Sequence, residues 1–223
     1  MVKRTRAVEV AGGEPGFEIV ASVRTDKGCV REVNEDAGRF VRPSDPALLQ
    51  NKGALMVVAD GMGGHSAGEV ASQMAVELVS RLYYEARTDD APAALTAAVA
   101  EANRRIFAAA EADEHKRGMG TTCTALALRG AAAFAAHVGD SRLYMLRDGG
   151  VYQLSEDHSH VMEMVRAGLL TKEQARTHED KNVILRALGT TPEVEVSAVE
   201  PLEVRPGDFY LLSSDGLHDL VLD

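Results

Sequence analysis

Three aspartates in this chain share one local design. Leu-Met-Val-Val-Ala runs into Asp60-Gly61, Phe-Ala-Ala-His-Val-Gly into Asp140-Ser141, and Tyr-Leu-Leu-Ser-Ser into Asp215-Gly216. A carboxylate at the end of an apolar strand is poorly solvated, and a small residue after it lets another group approach the backbone. Taken singly, each Asp reads as the opening of a turn, as Asp-Gly often is. Turn aspartates usually follow polar strand ends, however, and these follow apolar ones. If the three converge they repel, by about 4 kcal/mol for two unit charges about 4 Å apart at an effective dielectric of about 20. Protonation or a cation must relieve that. An all-oxygen set selects hard cations, Mg2+ or Mn2+, over zinc, and no His or Cys pair here has zinc spacing. Paired cations of this kind activate a water and neutralise phosphate oxygens, so phosphoester hydrolysis is the matching chemistry and no nucleophilic side chain is required. The chain holds no Gly-x-Ser-x-Gly elbow and no Walker loop. Gly61-Met62-Gly63-Gly64 lacks the lysine of a P-loop and reads as a tight turn beside the cations.

The elements that must carry these acids follow from periodicity. Phe17 to Arg24 reads as a first strand and Leu55 to Ala59 as a buried one, with a loop over 42–52 between them. Ser66 to about Arg87 reads as a helix: Val70, Met74, Leu78 and Leu82 recur every four residues, and Ser66 with Glu69 has capping-box spacing. A second helix is expected from about Ala91 to Ala112. Thr121 to Leu128, Ala131 to Val138, Leu143 to Leu146 and Val151 to Leu154 read as strands, the last two joined through Asp148-Gly149-Gly150, a hairpin signal. Val161 to Gly168 and a segment opened by Thr171 and Gln174 read as short helices. Val183 to Leu188 is ambiguous; Val194 to Val199 and Phe209 to Ser213 read as strands. Early helices followed by hairpin-spaced strands imply an α+β fold.

The chain has 223 residues, 45% of them hydrophobic, enough for one domain with a core. Residues 1–17, broken by Gly12, Gly13, Pro15 and Gly16, read as a leader preceding a domain over 18–223. A net charge of −10 argues against a nucleic-acid partner. It does not exclude a phosphorylated one, because bound cations reverse the local sign. No apolar run is long enough to span a membrane. Cys29 and Cys123 are too few for a disulfide framework and fit a reducing cytoplasm.

Taken together, the motifs resemble one family, the bacterial metal-dependent serine/threonine protein phosphatases of type 2C. The matching stretches are Thr25-Asp26-Lys27-Gly28 through Arg31 to Asn34-Glu35-Asp36; Val58-Ala59-Asp60-Gly61-Met62-Gly63-Gly64-His65 through Gly68-Glu69; Met119-Gly120-Thr121-Thr122; His137-Val138-Gly139-Asp140-Ser141-Arg142; Asp157-His158-Ser159; and Ser213-Ser214-Asp215-Gly216-Leu217. They occur in the family's order along the chain.

The resemblance implies a four-layer α/β/β/α sandwich of two antiparallel sheets flanked by helices. It implies hydrolysis of phosphoserine and phosphothreonine in proteins by a metal-bridged water. Two catalytic ions, Mn2+ or Mg2+, and a third would be held by Asp60, the Gly61 carbonyl, Asp140 and Asp215. Asp36, with Glu35, would orient metal-bound waters, and Arg31 would grip the phosphate. His65 has two open readings, a general acid for the leaving alkoxide or a residue shaping the turn. His137, inside an apolar strand, reads as structural. The insert from His158 to Leu188 corresponds to a flap that touches protein substrates. Expected partners are phosphorylated proteins and, by family analogy, a serine/threonine kinase, with no nucleic acid or membrane; a cytoplasmic monomer is expected. In the family the chain continues to a further helix and strand carrying an Asp-Asn pair that completes the first metal site. This sequence stops at Asp223 without such a pair, so a phosphoprotein-binding, catalytically impaired module is the alternative.

Overall fold

Apolar periodicity and turn chemistry place most elements where they are found. A computed structural model of the chain describes residues 18–63 and 67–221; the leader, His65 and Ser66, the expected helix cap, lie outside the described residues. The elements are β1 (Asp36–Val41), α1 (Pro46–Lys52), β2 (Ala54–Met62), α2 (Ala67–Glu85), α3 (Ala91–Ala112), β3 (Gly120–Thr121), β4 (Cys123–Arg129), β5 (Ala132–Val138), β6 (Arg142–Arg147), β7 (Gly150–Gln153), α4 (His160–Arg166), α5 (Lys172–Arg176), β8 (Ser197–Glu203), β9 (Phe209–Ser213) and α6 (Asp215–His218). One antiparallel sheet runs β1-β2-β4-β5-β8, with β3 pairing the end of β2; the other runs β7-β6-β9.

Strand alternation sorts the core into two layers. Leu55, Val57, Ala125 and Ala127 face α2 and α3, meeting Ala71, Ala75, Val79 and Tyr83 of the first and Leu95, Val99 and Ile106 of the second. Their neighbours Met56, Leu126 and Leu128 point the other way, toward Leu143, Tyr210 and Leu212 of the small sheet. The many alanines on α2 and α3 let the two helices pack closely on each other and on the sheet. Asn103, fully buried on α3, accepts from Gly189 N–H (2.8 Å) and donates to the Thr191 and Pro192 carbonyls, tying the segment before β8 to the helix layer.

The α+β fold and its two antiparallel sheets are as the motifs implied. The outer face of the small sheet is covered unevenly. α4, α5 and α6 lie at its Arg142–Gln153 end, while Val151 and Phe209 at the other end are exposed.

Three local readings are corrected, and one strand was not foreseen. Residues 18–24 form no strand: Val20 and Val23 are exposed and find no ladder, although Val23 leans over Gly38 of β1. The loop expected over 42–52 contains α1, because Asp45 caps it by accepting from Ala47 N–H and Pro46 supplies a preset first turn. The strand expected at Val194 to Val199 begins only at Ser197; Val194 and Val196 pack instead against the helix layer. β1 itself, Asp-Ala-Gly-Arg-Phe-Val, carries too weak an alternation to be seen.

Candidate metal centre and active site

Strand register brings the acids to one rim of the two sheets. Asp36, first residue of β1, lies opposite Asp60 of β2, and Gly61 lies opposite Thr121 of β3. Gly139-Asp140-Ser141 is the crossing from β5 in the large sheet to β6 in the small one. Arg142 at the start of β6 pairs with Ser213 at the end of β9, which sets that crossing beside Ser214 and Asp215.

Hydroxyls stand at these turns; at Asp60 they hold the backbone and leave the carboxylate out of the bonds. Asp60 N–H donates to Thr122 Oγ1 (2.9 Å), and the Asp60 carbonyl accepts from Thr121 Oγ1 and Thr122 N–H, both at 2.9 Å. Thr122 Oγ1 is 2.6 Å from Ser141 Oγ, so one short bridge joins the Asp60 and Asp140 turns. Ser214 Oγ donates to Asp36 Oδ2 at 2.7 Å, joining β1 to the Asp215 turn.

The electrostatics confirm that the acids meet. Burial first, then Asp36, Asp215 and Asp140, push the Asp60 carboxyl up to about 8. Burial, then Asp215 and Asp157, push Asp140 up to about 7. Such groups resist ionisation unless a cation is present.

The donors fit hard cations. The carboxylates of Asp60, Asp140 and Asp215 and the Gly61 carbonyl are all oxygens. Among the described residues no three His, Cys, Asp or Glu side chains form a ready-made cage. The acids instead surround Asp60 loosely, which suits cations that keep several waters, as Mg2+ does.

Arg31 reaches this rim through Glu35. Its Nη1 is 3.0 Å from Glu35 Oε2, and the rest of the side chain is exposed. Glu35 is wedged against the Asp60 turn: its carbonyl accepts from Gly61 N–H (3.0 Å), and a Cβ on Gly68 would collide with its Oε1. Gly61 in turn has no room for a side chain beside the Gly68 carbonyl. These glycines are packing requirements of the site, not a phosphate loop.

A cleft of about 90 Å³ opens beside Asp140 and Asp215, between the small sheet and the segment carrying α4 and α5. Half-buried Arg142 and buried Asp157 line it as an ion pair, with Nη2–Oδ2 at 2.7 Å; Arg142 Nη1 also donates to the Tyr144 hydroxyl and Gln153 Nε2 to Asp157 Oδ1. His137 is buried, with Thr124 Oγ1 at 2.9 Å from Nδ1 and the Glu156 carbonyl at 3.1 Å from Nε2, as a structural histidine should be.

Asp36, Asp60, Gly61, Asp140 and Asp215 are thus gathered, Arg31 stands beside them on Glu35, and His65 lies outside the described residues. The sequence reading did not single out Thr121, Thr122, Ser141 and Ser214. Their signal was present: a hydroxyl beside, or paired in register with, each strand-end acid.

Two sheets that bring oxygen-only acids to a shared rim fit the class of metal-dependent hydrolases, phosphatases among them. The family model described as Protein phosphatase 2C matches residues 31–223. The serine/threonine phosphatase stp of Listeria innocua is 41% identical over 206 residues, 90% of this chain and 79% of that protein. The crystal structure of the Mycobacterium tuberculosis serine/threonine phosphatase PstP/Ppp superposes with a TM-score of 0.77 at 41% identity, covering 90% of this chain and 80% of that one. A structure of the PstP catalytic domain in complex with two manganese ions superposes with a TM-score of 0.73 at 40% identity, over 90% of this chain and 79% of that one. The chain belongs to the protein phosphatase 2C family.

Proposed function

We propose that this protein hydrolyses phosphoserine and phosphothreonine esters in other proteins, using Mn2+ or Mg2+ held by Asp60, the Gly61 carbonyl, Asp140 and Asp215. The observation that supports it most is the crowding of Asp36, Asp215 and Asp140 around Asp60, which together with burial keeps Asp60 from ionising. Four acids from four distant parts of the chain have no structural reason to crowd one partly dry rim. Bound there, the cations supply the positive charge that activates a water and offsets charge building on the phosphate.

The chain's own groups do the rest. Asp60 presents its carboxylate from a backbone fixed by Thr121 and Thr122. Asp36, whose Oδ2 accepts from the Ser214 hydroxyl, would orient the waters held by the cations. Arg31, steadied by Glu35, offers a guanidinium to the phosphate as it arrives. His65 is proposed as the proton donor to the leaving alkoxide. Asp140 and Asp215 serve a third, weaker cation. The acidic surface matches a phosphoprotein substrate only once cations are in place. A serine/threonine kinase is the proposed source of those substrates, and the cytoplasm the proposed location. Among the described residues, no helix is long and apolar enough to cross a membrane.

The test is release of phosphate from a phosphothreonine peptide by the full chain. Turnover should require Mn2+ or Mg2+ and vanish with chelator. Phosphopeptide binding without turnover in excess Mn2+ would overturn the catalytic reading in favour of a binding module. Within that assay, Arg31→Ala should lower kcat/KM by about 10- to 100-fold, mostly through KM, as loss of a charge-assisted bond to phosphate implies. Arg31→Lys should recover only part of it, because the fork that pairs two phosphate oxygens is gone.

A further inference from the structure

Asp140 sits on a crossing between sheets, where no ladder holds the backbone. Gly139 before it adopts φ +106°, and a Cβ there would lie 2.7 Å from Cβ and Cγ2 of Thr122. Thr122 therefore closes one side of the turn. His158 closes the other. Gly139 N–H donates to His158 Nδ1 at 3.1 Å, and the Gly139 carbonyl accepts from His158 N–H at 2.8 Å. On the far edge of the ring, Nε2 is 3.0 Å from Ser197 Oγ at the start of β8. The ring is buried and lies 4.8 Å from that of His137.

These partners determine the tautomer. A backbone amide can only donate, so Nδ1 carries no proton and Nε2 carries it toward Ser197. A second proton would leave Gly139 N–H facing N–H in a dry site. Burial, then His137, Arg186 and Arg166, push His158 down to about 3, so the ring is neutral at ordinary pH.

We propose that His158 is a positioning residue for the cation site, its bare Nδ1 holding the Gly139 amide and so fixing where Asp140 presents its carboxylate. The proposal rests on the reading of Asp140 as a cation ligand. Its consequence is an asymmetry between two amide replacements. Asn places a carbonyl oxygen near the position of Nδ1 and keeps the bond to Gly139. Gln reaches toward the position of Nε2 and loses it.

The experiment measures Mn2+ binding to the full chain by titration calorimetry, alongside kcat and KM on a phosphothreonine peptide. His158→Gln should weaken the weakest resolved Mn2+ site by about 10-fold, the scale for a group that orients a ligand from behind. KM for the peptide should stay within about twofold, and His158→Asn should stay within about threefold of the parent in Mn2+ affinity. Asp140→Asn should weaken the same site at least as much as His158→Gln. If Asp140→Asn weakens it and His158→Gln does not, the proposal fails and the reading of Asp140 stands. If Asp140→Asn has no effect, that reading fails and the proposal with it. Equal damage from Asn and Gln means that the ring merely fills space, which also overturns it. Should the variants not fold, nitrogen NMR of the unmodified protein decides: the Nε2–H tautomer at pH 7, with a Gly139 amide that shifts on Mg2+ titration, supports the proposal. An Nδ1–H tautomer, an imidazolium or an unmoved Gly139 amide overturns it.

Discussion

Asp60→Asn should lower turnover of a phosphothreonine peptide by about a thousandfold or more in saturating Mn2+, because the cations supply both the activated water and the charge stabilisation. The substitution is nearly isosteric, and the bonds that hold residue 60 are made by its backbone, to Thr121 and Thr122. The fold should therefore survive. It should even gain stability without metal. Asp60 is the acid most hindered from ionising, by burial and by Asp36, Asp215 and Asp140, and a neutral amide removes that repulsion. The expected signature is a variant with a higher metal-free melting temperature, little Mn2+-induced stabilisation and almost no activity. Activity within tenfold of the parent, or a lower metal-free melting temperature, would contradict the arrangement of acids described above.

That paired expectation also shows where a linear chain is informative. The strand-end position of Asp60, Asp140 and Asp215 is visible locally, as an apolar run followed by an acid and a small residue. Their convergence is not, because it depends on the Asp36–Asp60 and Arg142–Ser213 registers between strands far apart in sequence. The helices α2 and α3 were legible because apolar residues on one face repeat over several turns. α1 was not: seven residues are too few for periodicity, and only Asp45 with Pro46 marks its start. β1 escaped because Gly38 and Arg39 interrupt its alternation, yet it supplies Asp36. The hydroxyls of Thr122, Ser141 and Ser214 escaped for a different reason. Serine and threonine are common near turns, and their work here is done across 19 to 178 residues of chain separation.

The same crowding of acids makes stability depend on cations and pH together. Asp60 and Asp140 are raised to about 8 and about 7 from an ordinary value of 3.8. For a raised acid, the stabilising contribution is complete below the unfolded value and is lost as pH climbs through the folded one. The metal-free protein should accordingly lose stability as pH rises from about 4 to about 8, the interval between the ordinary and the raised values, because the unfolded chain ionises these two carboxyls first. The depressed histidines act in the opposite sense. His137, His158 and His218 are all held below the ordinary 6.5 by burial, so their contribution is present above that value and lost as pH falls under it. Below about pH 6.5 the two contributions oppose each other, and above it only the loss from the acids remains. Cations reverse only the upper limb, since they bind the ionised acids and compete with protons for them. At a hundred times its dissociation constant a single cation adds about 2.7 kcal/mol, which for a chain of this size is roughly 5–10 °C in melting temperature. Thermal unfolding with and without Mn2+ at pH 6 and pH 8 checks this: the Mn2+-induced rise should be clearly larger at pH 8, and Asp60→Asn should remove most of the difference. A rise that is the same at both pH values would mean that the acids at this rim are already ionised and well solvated, and the case for a cation site built on their mutual repulsion would not stand.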